Sequence, residues 1–326
     1  MNSTQLTIDI AAIIAMSAPL IFATMGIYIT ERAGVINLSV DGAMLLAGMA
    51  GFALALVTSS VVIGFVAAAL VGALVAAVVA YLGITLRLSQ TAVGFVLALL
   101  CTDLSSFVGN PYVQQSGPAV AAFPIPGLRD IPILGTVLFR HDMVIYASIV
   151  LVPVIAWWVY RTRGGLLLRG LGERPEALFA RGVDVIRSRY IAVIVGGILI
   201  GIAGAAYTLD LKQGWTYRHI AGTGWIALAI VIFGAWRPWR VLFGCYLFAL
   251  LQTLASRMQD NTWQIPTQVL QVAPFVIMIF VLAIVNTIGA PAMYTRIQRL
   301  PVPLQRLVRY LSSPAPAALG QPFEQQ

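Results

Sequence analysis

Twelve carboxylates, two histidines, two cysteines and one lysine are the reactive side chains that this 326-residue sequence offers. His141 and His219 have no second His, Cys or carboxylate at a ligand spacing, so they suggest no metal site. Neither has a Ser or Cys partner in a catalytic arrangement readable from the chain. Cys101 and Cys245 lie inside apolar runs and read as small packing residues. Lys212 is the single lysine, so no phosphate loop ending in GK[ST] exists and the chain carries no ATPase site of that kind. No catalytic residue, no metal and no cofactor emerge. What remains is a small set of polar residues set in apolar sequence, and at membrane depth such residues mark transport pathways.

The elements that would hold them follow from composition. Hydrophobic residues make up 60% of the chain and charged ones 10%, against about 25% charged in a soluble domain. That excludes a cytosolic enzyme, a disordered chain and a disulfide scaffold. A helix needs about 20 apolar residues to cross the hydrocarbon layer. The apolar runs here are too long and continuous for barrel strands, so the expected fold is an all-α polytopic membrane protein. Candidate spans are 10–30, 42–58, 60–83, 91–109, 142–160, 190–210, 223–236, 241–258 and 268–287, giving about nine or ten membrane segments. The net charge of +8 is carried almost wholly by Arg and clusters between these spans. It reads as a topology signal rather than a nucleic-acid surface. The loop 161–189 holds seven arginines and is expected inside. Alternating outward from it places fifteen basic residues inside and five outside, with the N-terminus external unless 31–41 re-enters the membrane.

Two interruptions stand out. The stretch 31–42, ERAGVINLSVDG, is either a plain loop or the break in a second helix whose later half begins near Asn37 or Ser39. Both are good N-caps, and Asp41 would then lie in the first turn, complementing the helix dipole. The stretch 221–235 has only about a dozen apolar residues and reads as a half-helix near 223–236 capped by Thr223. The pattern G-x-I-x-L-small recurs at Gly34 and Gly224, and short, Gly-interrupted segments in corresponding places point to a transporter pathway. Asn37, Ser39, Asp41, Thr223 and Trp225 are therefore the pathway candidates. Asp103 either lines that pathway or is solvated at the external end of its span.

In the arginine-rich loop, Pro175 suits a first helical turn, Glu176 favours that end and Gly182 suits the exit. The expected helix, Pro175–Arg181, is too short to stand alone. It rests on its own bundle or docks into a groove on a cytoplasmic partner.

The string from Glu31 to Leu46, ERAGVINLSVDGAMLL, resembles the N-terminal signature of permease subunits of bacterial ABC importers. The family is that of branched-chain amino acid, ribose and nucleoside permeases. Three further blocks agree in order: Arg161–Leu166 into Gly172–Ala177, the run Gly197–Ala206, and Gly222–Gly234. The ERAGVIN form is most similar to the nucleoside-type branch, which works with a basic-membrane-protein-type binding protein. Length and block order resemble the shorter of the two permeases such systems carry. The resemblance implies a helical bundle over residues 1–290 with a broken second helix and a central pathway, in the bacterial cytoplasmic membrane. It also implies partners: a cytoplasmic ATPase with two nucleotide-binding cassettes, which uses ATP and Mg, a second permease forming a hetero-pair, and an extracytoplasmic solute-binding protein. Its ATPase-docking segment falls on Gly172, Glu173, Arg174, Pro175, Glu176, Ala177, Gly182 and Val183, with Arg174 where relatives carry Asn.

The expected function is passage of a nucleoside or similar small polar solute by alternating access, driven by ATP hydrolysis in another chain. Simple sugars or branched-chain amino acids are alternative solutes. A proton-coupled carrier using Glu31, Asp41 and Asp103 is the alternative class. Residues 291–326 are expected to form a poorly ordered cytoplasmic tail.

Overall fold

The computed structural model describes residues 3–259 and 315–323, with two isolated positions, 276 and 280. Among these residues there is no strand. Seven helices are long and apolar enough to cross a membrane. They are α1 (Ser3–Arg32), α2 (Val40–Thr58), α3 (Val61–Ala80), α4 (Gln90–Gly109), α6 (Met143–Arg161), α9 (Val185–Ala205) and α11 (Pro238–Gln259). The short helices are α5 (Leu134–Leu138), α7 (Arg163–Glu173), α8 (Pro175–Phe179) and α10 (Thr223–Phe233). The expected span 268–287 lies outside the described residues. Two π-helical turns, Tyr81–Thr85 and Ala206–Leu211, extend α3 and α9 and had no expectation in the sequence.

Burial separates the inner helices from the outer ones. α9 packs against α1, α2 and α3, and α4 packs on α2, while α6 and α11 flank α1. α3, α4 and α6 turn rows of large apolar side chains outward, among them Leu70, Leu74, Phe95, Leu99, Val150 and Val154. In water that pattern would be inside out; in a bilayer it is the lipid face. With lipid tails as apolar as the core, the helices hold together by close backbone approach at small residues. The crossing of α3 and α9 shows it. A Cβ on Gly72 would stand 2.2 Å from the Gly197 carbonyl oxygen, and one on Gly201 would stand 2.1 Å from that of Ala68.

α1 ends at the arginine-bearing end of the bundle, where Arg32 pairs with Glu173 at 3.2 Å. The far end of α1 lies with the end of α11, through a contact between Asp9 and Arg257. The N-terminus and the 161–189 loop are thus at opposite ends, as the charge count implies. Residues 33–39 are not helical, and Gly34, at φ +87°, makes the turn. The chain then climbs back alongside α4. The Ile36 N–H donates to Gln90 Oε1 at 2.8 Å, Leu38 lies against Gly94, and Gly42 lies against Ala98. Eight helical residues rise about 12 Å, so α2 starts well inside the bundle. Of the two readings of 31–42 the structure gives a loop, which leads into one continuous helix from Val40.

Candidate functional site

The inner start of α2 meets that of α10. Asp41, in the first turn of α2, accepts hydrogen bonds through Oδ1 from the N–H groups of Gly222 and Gly224, both at 2.9 Å. These amides belong to the orphan set that opens α10, where the helix dipole is positive and a carboxylate is favoured. Asp41 therefore caps a helix other than its own. Only glycine permits the approach, because a Cβ on Gly224 would stand 2.4 Å from the Asp41 backbone. From this joint, α10 runs eleven residues, about 16 Å, to the arginine-bearing end. There the Trp236 indole N–H donates to Glu31 Oε2 at 2.5 Å, and Arg32 Nη2 donates to the Trp236 carbonyl at 3.2 Å. Both buried carboxylates of the 31–41 stretch thus engage the half-helix segment, one at each end.

Not all candidate residues gather here. Asn37 and Ser39 are buried and bond each other: Asn37 Oδ1 accepts from the Ser39 N–H at 3.0 Å and from its hydroxyl at 2.6 Å. Neither side chain caps α2, contrary to expectation: Ser39 stands at the cap position, but with helical backbone angles (φ −75°, ψ −2°) and its hydroxyl turned to Asn37, where a capping residue is normally extended. Thr223 does not cap α10 either. The cap position is Gly222, in the left-handed region at φ +89°, with no side-chain bond of its own, and Asp41 supplies what Thr223 was expected to. Trp225 faces Phe95 of α4, with ring centroids 6.2 Å apart. Asp103 is exposed and pairs with Arg218 at 3.1 Å. Glu31, Asp41 and Asp103 each hold a separate partner and form no relay. The two G-x-I-x-L-small hexapeptides also differ: the first is the non-helical lead-in, the second is helix.

At the arginine-bearing end the loop adopts the expected stop signals. α8 begins with Pro175 and Glu176. It closes with the Gly182 N–H on the Phe179 carbonyl at 2.8 Å and the Val183 N–H on the Leu178 carbonyl at 3.1 Å. Gly182 stands at φ +78°, so this is a Schellman closure. Arg174 occupies the N-cap position without a side-chain cap bond, as its lack of an acceptor requires. Glu173, Arg174, Glu176 and Ala177 are exposed, whereas Gly172 and Pro175 are buried.

The support beneath this loop had no signal in the sequence. Residues 315–323, expected to be poorly ordered, pack across it. The Ala318 N–H donates to the Gly172 carbonyl at 2.8 Å and the Gly320 N–H to the Gly34 carbonyl at 3.0 Å. Phe323 meets Phe179 edge-on at 5.7 Å between centroids. Arg189, fully buried at the base of α9, donates to the carbonyls of Gln321 and Leu171 at 3.1 and 3.4 Å. One arginine and one short segment thereby tie the loop to the lead-in of α2. Among the described residues, no three His, Cys, Asp or Glu side chains stand together as a metal site.

The family described as branched-chain amino acid transport system, permease component, matches residues 9–282. A Haloferax volcanii protein provisionally named a glucose ABC transporter permease, TsgC13, is 37% identical over 76% of this chain and 77% of its own. The nucleoside ABC transporter permease NupC of Lactococcus lactis is 31% identical over 86% of this chain and 92% of its own. The guanosine ABC transporter permease NupQ of Bacillus subtilis is 30% identical over 87% and 93%. No solved structure matches the chain.

Proposed function

This chain belongs to the permease family of branched-chain amino acid transport systems, and from that premise we propose that it passes a nucleoside or similar small polar solute through the cytoplasmic membrane. The Asp41 bridge carries the reading. It joins two helices that both start inside the bundle, and half-helix starts at depth are where transporters present donors to polar cargo. Asp41 and Thr223 stand at that joint, Asn37 and Ser39 are paired in the lead-in just before α2, and a small shift of α10 against α2 would trade the Gly222 and Gly224 amides between Asp41 and a solute. Trp225 follows Gly224 in the first turn of the same helix and faces Phe95 of α4.

The energy comes from another chain: an ATPase with two nucleotide-binding cassettes, using ATP and Mg. It docks on the exposed residues Glu173, Arg174, Glu176 and Ala177 of the 161–189 loop. Gly172, Pro175, Gly182 and Val183 set the shape of that loop. Because α10 reaches from the Asp41 joint to Arg32, and Arg32 holds Glu173, a push on the loop has a short path to the joint. A second permease completes the pore as a hetero-pair, and an extracytoplasmic binding protein delivers the solute. A simple sugar is the second reading, favoured by the 37% identity to the Haloferax volcanii protein.

The test is a detergent pull-down from the native host with mass spectrometry, beside a Glu173→Arg, Glu176→Arg double variant. The expected result is a tandem-cassette ATPase and a second permease with the wild type, and loss of the ATPase with the variant. The binding protein that co-purifies is then screened against nucleosides and hexoses, which separates the two solute readings. Recovery of the chain alone with uptake intact would overturn the assignment to an ATP-driven complex.

A further inference from the structure

At the end of the bundle opposite the arginine-rich loop, the segments that follow α4 and α9 border a cavity of about 460 Å³, within the range of about 300–1,000 Å³ typical of small-molecule sites. Main-chain bonds stitch the two segments together. The Gln114 N–H donates to the Trp215 carbonyl at 3.1 Å and the Val120 N–H to the Leu209 carbonyl at 3.2 Å. An aromatic layer backs the cavity. Trp215 is fully buried and meets the His219 ring edge-on at 4.8 Å between centroids, and His219 meets Tyr207 at 5.7 Å. The His219 Nδ1–H donates to the Thr216 carbonyl at 2.6 Å, which holds that ring in place. Three exposed glutamines, Gln114, Gln115 and Gln213, complete the lining. Gln114 and Gln213 stand at φ +57° and +51°, a conformation disfavoured for residues with a Cβ, and such strain collects at ligand sites.

The lining selects the kind of ligand. Among the described residues that line the cavity, Lys212 is the one charged side chain. An amino acid zwitterion would find no carboxylate for its ammonium group, and a phosphate would meet a single point charge. A primary amide presents a donor and an acceptor side by side, the arrangement that pairs with the edge of a nucleobase. Tyr207 and His219 supply aromatic surface for its plane. Tyr207 also leads from the cavity to the Asp41 joint. It stands in the π-helical turn Ala206–Leu211, a geometry frequent at functional sites, and its hydroxyl pairs with the Thr223 side chain. Thr223 lies between Gly222 and Gly224, whose amides hold Asp41.

We propose that this cavity is an outer subsite for the solute, which takes a neutral nucleoside by its base, and that Tyr207 is the contact shared by this subsite and the Asp41 joint. The inference rests on the reading of the chain as a nucleoside permease, to which the binding protein delivers at this end.

The experiment is maleimide labelling of a Gln213→Cys variant of the full chain, purified with the subunits that accompany it and placed in nanodiscs without the binding protein. Cys101 and Cys245 are buried, so labelling reports the introduced thiol. Adenosine is expected to slow labelling, whereas leucine and glucose are not. Asp130→Cys, exposed and outside the cavity lining, is expected to label at one rate throughout. Adding Tyr207→Ala should raise the adenosine concentration for half-protection about tenfold, the worth of one stacked base, and Tyr207→Phe should restore most of it. The Gln213→Cys result stands by itself if Tyr207→Ala fails to fold. Labelling that adenosine does not slow, in a complex that takes adenosine up, would overturn the subsite and leave the transport reading intact. Equal slowing at Asp130→Cys would overturn it too, by making the effect global. Protection by leucine or glucose equal to that by adenosine would overturn the ligand class. Uptake of glucose but not adenosine, with protection by glucose alone, would overturn both the subsite and the nucleoside reading.

Discussion

Asp41 is where the helix joint and the proposed pathway meet in one side chain. Its Oδ1 satisfies one buried amide, Gly224, and one half-buried amide, Gly222, so Asp41→Ala leaves the buried donor unpaired at about 1–3 kcal/mol. We expect Asp41→Ala to lower the melting temperature and abolish uptake. Asp41→Asn keeps an acceptor oxygen and should keep assembly while impairing transport. Wild-type uptake and stability in both Asp41→Ala and Asn37→Ala would remove these residues from the pathway. His219, in the loop between α9 and α10, gives a pH prediction. Burial pushes its pKa below the ordinary histidine value, ahead of the smaller effects of the Thr216 carbonyl and Lys212. The unfolded chain then takes up a proton first as pH falls below about 6.5. Stability from the neutral ring is full above that pH and is lost on acidification toward the folded pKa. Thermal unfolding of His219→Gln should show a shallower dependence between pH 7 and 5 than wild type; an identical slope would place the acid sensitivity elsewhere.

At the scale of elements, α10 is the piece whose length matters. Eleven residues are too few to cross a bilayer, so its N-terminus must find partners inside the bundle, and Asp41 is there because Gly224 lets it in. Gly224→Val would force α2 and α10 apart by the width of a side chain. The expected outcome is a protein that inserts but fails to transport, read by fluorescence-detected size exclusion beside uptake. Gly201→Leu, at the α3–α9 crossing, should instead abolish assembly, since the obstacle is the Ala68 backbone and cannot rotate away. The elements themselves were legible in the sequence because spans are long apolar runs and α8 has Pro and Gly at its ends. Their capping was not, because Thr223 and Ser39 have cap-competent side chains whichever neighbour arrives, and only the fold delivers Asp41 to α10.

For the whole molecule, the arginine-bearing end is one assembly built from distant parts of the chain. The lead-in of α2, the loop that holds α7 and α8, the base of α9 and residues 315–323 meet around Arg189. Ending the chain after residue 314 removes three main-chain carbonyl contacts and the Phe323–Phe179 ring contact, about 3 kcal/mol of docking by ordinary hydrogen-bond and burial values. We expect that truncation to insert normally but to capture less ATPase in the pull-down and to support slower uptake. Unchanged capture and uptake would mean that the segment only covers the loop.

Taken alone, the sequence determined that this is an all-α membrane protein, where most spans lie and which end carries the arginines. Each of those follows from local composition, spacing or an ordered run of motifs. It also marked 31–42 and 221–235 as interruptions. Only the tertiary structure decided that the two meet through Asp41 and glycine amides 181 and 183 residues away in sequence. Only it brought Arg32 to Glu173, Arg189 to the tail, and Asp103 to Arg218 in the open. Such pairings arise when helices close on one another at small residues. No local pattern records which backbone amide a buried carboxylate will face once they have closed.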